Sequence, residues 1–100
     1  MSVKGFVVLT LVFRKEGRVW TGECLELGTA TYGRSIEKVK QELVELVELD
    51  LNTLEDIGER EHFFKKHNVK FYTEHEPLPA PPYDEDAFVN YHRVSIEIAA

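Results

Sequence analysis

No intrachain disulfide can form in this chain, because Cys24 is its only cysteine. A fold of one hundred residues must then hold together by apolar packing, and with 43% hydrophobic residues it has enough for one core. A lone thiol also fits a reducing compartment, so the expected location is cytoplasmic. Long apolar runs are missing too. The stretch Phe6–Phe13 is interrupted by Thr10 and falls far short of the ~20 residues of a membrane span. No small-residue cleavage site follows it, which argues against a signal peptide. Gly28 and Gly33 lack the lysine of a phosphate-cradling loop, and no cysteine–histidine spacing suits zinc. His62 and His67 stand five apart, off a common helical face. No metal, cofactor or catalytic residue is therefore assigned.

Basic residues are also scarce, and the imbalance is local. The net charge is −6, and residues 37–61 alone carry nine acids against three bases. Such a surface repels phosphate, so nucleic acid is a poor partner, whereas a basic protein would be steered toward it.

Gly5–Arg14 is rich in β-formers, with Val7, Leu9, Leu11 and Phe13 on a face expected to meet a helix. Its even positions grow more polar and should be only partly covered. Lys15-Glu16-Gly17 predicts a hairpin, and Arg18–Leu25 the returning strand, with Trp20, Gly22 and Cys24 on the buried side. Thr29–Tyr32 is a short third strand ended by Gly33. Ser35 caps a helix running to about Asp56, with a stripe of Ile36, Val39, Leu43, Leu46, Val47 and Leu54. Val44, Leu49 and Leu51 are expected to widen that stripe, offering apolar surface to the following segment or to a second subunit. Glu59–His67 predicts a second helix, and Val69–Thr73 a strand. Pro77, Pro79, Pro81 and Pro82 make an extended arm before an alternating segment, Tyr91–Ala99. That last segment is either a final sheet strand or an arm laid on a partner's edge.

The expected fold is α+β: a three- to four-stranded, mainly antiparallel sheet in the order β-β-β-α-(α)-β, with one long helix on one face and a C-terminal strand after the arm. Residues 1–76 form the domain and 77–100 the arm and strand, with no separate DNA-binding domain.

The order strand, hairpin, Trp20-Thr21-Gly22-Glu23-Cys24-Leu25-Glu26-Leu27, short strand, Gly33, Ser35 and helix resembles the HicB-type antitoxin domain. Trp20, Cys24, Glu26, Leu27, Gly33 and Ser35 match the family pattern over about residues 5–75; Gly22 stands for Ala, Leu25 for Pro and Lys38 for the capping Glu. The resemblance implies a partial ribonuclease-H-like sheet without catalytic acids, which binds and occludes a small basic HicA-type toxin that cleaves mRNA. The helix pair or ribbon that usually follows for operator binding is absent from residues 77–100.

The expected function is thus a non-enzymatic, antitoxin-like, homodimeric binding protein. Glu42, Glu45, Glu48, Glu23 and Glu26 are the candidate partner-binding residues; Trp20, Cys24, Leu27, Gly33 and Ser35 are structural. The alternatives are a HicB-like module with no toxin, or a weak metal-dependent nuclease using Glu23, Glu26 and Asp50.

Overall fold

The computed structural model describes residues 2–99, so the first and last residues of the expected division lie outside it. The chain is α+β, a five-stranded antiparallel sheet with two helices. The first strand, β1 (Ser2–Glu16), is the central one, paired with β2, β4 and β5. It turns through Gly17, at φ 64°, into β2 (Val19–Cys24), pairing from Leu11↔Cys24 to Glu16↔Val19. The short β3 (Ala30–Gly33) extends the sheet beyond β2, from Trp20↔Gly33 to Glu23↔Ala30.

Helix α1 (Ile36–Asp56) starts where Ser35, in extended conformation, accepts from the Lys38 N–H at 3.5 Å. It stops at a Schellman closure. Gly58 takes a left-handed φ of 74° and donates to the Glu55 carbonyl, and Glu59 N–H reaches back to Leu54 at 2.8 Å. Helix α2 (Arg60–Lys66) ends in the same way, with Asn68 at φ 56° and Val69 N–H on the Phe64 carbonyl. Strand β4 (Phe71–Thr73) and, after the proline arm, β5 (Phe88–Ala99) complete the fold.

The C-terminal strand pairs in cis, and it begins at Phe88, three residues earlier than the alternation suggested. It runs along β1 from Ser2↔Ala99 to Phe13↔Phe88 without a break in register. A strand has only two edges, so β2 and β4, which pair with residues 11–16 and 5–7 of β1, share the opposite one end to end. Gly5 is needed at the β4 end, where a Cβ would sit 2.1 Å from the Tyr72 carbonyl oxygen.

The core lies between the sheet and α1. Val7, Leu9, Leu11 and Phe13 are buried there with Cys24 and the helical residues Val39, Leu43, Val47 and Leu51. Gly22 lets the helix approach: a Cβ would come within 2.8 Å of Val39 and 3.0 Å of Phe13. One expectation is corrected here. Leu51 does not widen the stripe; it continues the i, i+4 row of Val39, Leu43 and Val47 into the core, while Leu46 and Leu54 lie at its half-buried flanks. Of the supposed surplus apolar surface, Leu49 alone stays well exposed, at 60%.

Candidate protein-binding surface

Among the described residues no helix covers the sheet's second face. Register places the even residues of β1 there, with Thr21 and Glu23 of β2 opposite Tyr32 and Ala30 of β3. Val89 and Tyr91 of β5 join them through their pairing with Val12 and Thr10. Across this face passes the proline arm. It is held by an Arg14–Asp84 ion pair at 3.6 Å, and a tight turn follows in which Asp86 N–H donates to Asp84 Oδ1 at 2.8 Å.

Between arm and sheet is a groove of about 630 Å³. Val12 and Val89 floor it, Leu25, Tyr32 and Tyr83 wall it, Glu16 and Glu23 bring carboxylates to it, and Arg14 and Asp84 enter it as their ion pair. Tyr83 is 89% exposed, Tyr32 76% and Leu25 55%, so large apolar side chains stand in solvent around a concave surface. Amphipathic aromatics beside an apolar floor are the chemistry of a protein contact. Tyr32, Tyr83 and Leu25 were not singled out in the sequence. The signal existed only once β2 and β3 were in register, since that places Tyr32 on the side of Glu23.

Glu23 is thus the one carboxylate of the five candidates that lines the groove. Glu26 is half-buried at the gap between β2 and β4, where no strand follows β1. Its two oxygens accept from the Thr10 N–H at 2.6 Å and the Thr10 hydroxyl at 2.8 Å, completing the ladder with a side chain. The helical acids lie beyond the other face of the sheet and make separate contacts. Glu42 accepts from the Thr31 hydroxyl at 2.5 Å, Glu45 from Gln41 at 3.5 Å, and Glu48 flanks a groove shared with Val94 and Ile96 of β5.

Of the nuclease candidates, Asp50 accepts from the Thr29 hydroxyl on the helix side, away from Glu23. Among the described residues no three His, Cys, Asp or Glu side chains are grouped to hold a metal ion. Cys24 is buried, and that burial, with the charge of Glu26 adding to it, pushes its thiol up to about 11. It packs as a small hydrophobe. Of the other motif residues, Trp20 and Leu27 pack against the core cluster, Gly33 ends β3 and Ser35 caps α1.

Among the described residues no helix is long and apolar enough to cross a membrane. No family model matches the chain, and neither a curated protein nor a solved structure does so.

Proposed function

We propose that this protein is a non-enzymatic binding module of the HicB antitoxin type, which occupies and neutralises a small basic HicA-like toxin in the cytoplasm. The observation that carries the proposal is the open-face groove, with two exposed tyrosines over an apolar floor and the carboxylates of Glu16 and Glu23 beside the Arg14–Asp84 pair. Tyrosine supplies contact area at low entropic cost, and the acids select a cationic partner. The net charge of −6, concentrated on the segment that forms α1, adds long-range attraction for the same class of partner. A HicB-like module with a basic partner other than a toxin uses the same surface, and it is distinguished by what happens to RNA.

The test mixes the protein with a small basic HicA-type protein, drawn from beside its gene if one is encoded there. The expected result is a stable 1:1 complex in which RNA stays intact. The double variant Tyr32→Ala, Tyr83→Ala should bind at least about tenfold more weakly, as loss of aromatic anchors does. Its folding should be unchanged, because both rings stand in solvent. Failure to form a complex at micromolar concentration overturns the reading. A complex that leaves RNA cleavage untouched moves it to the toxin-independent module.

A further inference from the structure

We propose that β5 is a homodimerisation edge: two copies of this chain pair β5 to β5, antiparallel, about a two-fold axis at Ser95, joining their sheets into one. The inference rests on the strand edge alone and is independent of the function proposed above.

Backbone direction along β1 is fixed at Thr10, whose carbonyl accepts from Leu25 N–H at 3.0 Å and whose N–H donates to Glu26. Even residues of β1 therefore turn their peptide groups toward β2, and odd residues toward β5. Through the pairing Leu9↔His92, the even residues of β5 bond to β1. The odd residues Val89, Tyr91, Arg93, Ser95 and Glu97 direct their N–H and C=O groups outward. An independent contact agrees, because Arg60 Nη2 donates to the outward carbonyl of Glu97 at 3.1 Å. Apart from that bond, no described backbone group pairs with this edge.

Long open edges invite pairing, and proteins blunt them with proline, lysine, bulges or brevity. Residues 88–99 contain no proline and no lysine, and their register to β1 has no bulge. The opposite edge is blunted: β3 has four residues, and Thr31 within it and Thr29 before it are tied to Glu42 and Asp50 of α1.

Self-complementarity selects a second copy as the occupant. With the axis at Ser95, Arg93 of each copy stands across from Glu97 of the other on one face, and Val94 across from Ile96 on the other. An axis at Arg93 or Glu97 would set like charges together. Arg93 now rests over the Phe6 ring at 4.3 Å and Glu97 beside Lys4 at 3.7 Å, both exposed and free to turn to a neighbour. The Glu97 carbonyl keeps a second lone pair for an incoming N–H. On the helix side Val94, Ile96 and Ile98 pack at the border of the core, so the joined sheet prolongs that apolar layer.

Sedimentation velocity of the full chain at concentrations on the order of tens of micromolar should show a dimer, and a monomer overturns the proposal. Ser95→Pro removes one outward N–H at a position where an edge strand tolerates proline, so it should give a folded monomer. A folded Ser95→Pro dimer places the contact elsewhere and overturns the edge. Arg93→Glu sets two carboxylates against each other at both symmetric positions and should weaken the dimer at least about tenfold. Adding Glu97→Arg should restore it. A double variant no tighter than Arg93→Glu alone overturns the axis, whether or not the proline variant folds.

Discussion

The two faces of β1 are built from one strand and behave as different materials. On the helix side Val7, Leu9, Leu11 and Phe13 are buried without exception, because α1 lies over them and Gly22 lets it approach. On the open side burial comes in pieces. Phe6 is covered by the stacked ring of Tyr72 and by Arg93, Val12 lies in the groove spanned by the arm, and Val8 and Thr10 stay half exposed. The first face holds the fold, and the second is left with surface to offer. Helices on one face alone therefore separate stability from recognition on opposite sides of a sheet one layer thick.

That separation is broken most directly by truncating each face in turn. Leu43 is fully buried against the sheet, and Leu43→Ala should cost about 3 kcal/mol in urea unfolding, as loss of a core leucine does. Val12→Ala on the open face should cost about 1 kcal/mol, because the arm and solvent can close over the smaller side chain. Equal losses would mean that the arm packs as a second core layer. The contrast between the faces would then fail.

The carboxylates allow a finer comparison. Glu26 and Glu23 are three residues apart and chemically similar, yet one completes the ladder of β1 and the other lines the groove. Glu26→Ala strands the Thr10 N–H and hydroxyl, and should destabilise by about 2 kcal/mol. Glu23→Ala should stay within about 0.5 kcal/mol of the parent while weakening the basic partner. Chemical denaturation and a binding titration on both variants separate the roles, and a stability loss at Glu23 would merge them.

How much of this was legible follows from which rules are local. The alternation of β1, the Ser35 cap and the helical period are local, and α1 was located to within a residue at its start and at its end. Leu51 was misplaced because Leu54 and Leu46 fit a helical stripe equally well, and only the packing of α1 on the sheet decides which is central. The strand character of β5 was readable, but its partner was not, since pairing in cis and in trans place the same demand on Val94, Ile96 and Ile98. Glu26 illustrates the same limit. Its bond to Thr10 depends on β2 and β4 both stopping short of one stretch of β1, which is a property of three segments together.

The smallest expected effect lies at the start of α1, on the helix-covered side. Ser35 Oγ donates to Glu37 Oε2 at 2.8 Å, and this bond, with help from the Glu37 backbone N–H, holds that carboxyl below the ordinary carboxylate value. The unfolded chain has no such donor, so the folded state binds the proton later as pH falls. The resulting stabilisation is complete at neutral pH, above the unfolded value, and disappears as pH drops through the depressed folded value. Glu37→Gln should therefore lower the urea midpoint slightly at neutral pH, and the gap should close in acid. Water screens the fully exposed carboxylate and keeps that gap small. A gap that persists unchanged in acid would assign the effect to contacts that do not depend on the charge of Glu37. A gap that closes means the launch of α1, alone on the helix-covered side, carries an acid-sensitive component that the buried row from Val39 to Leu51 lacks.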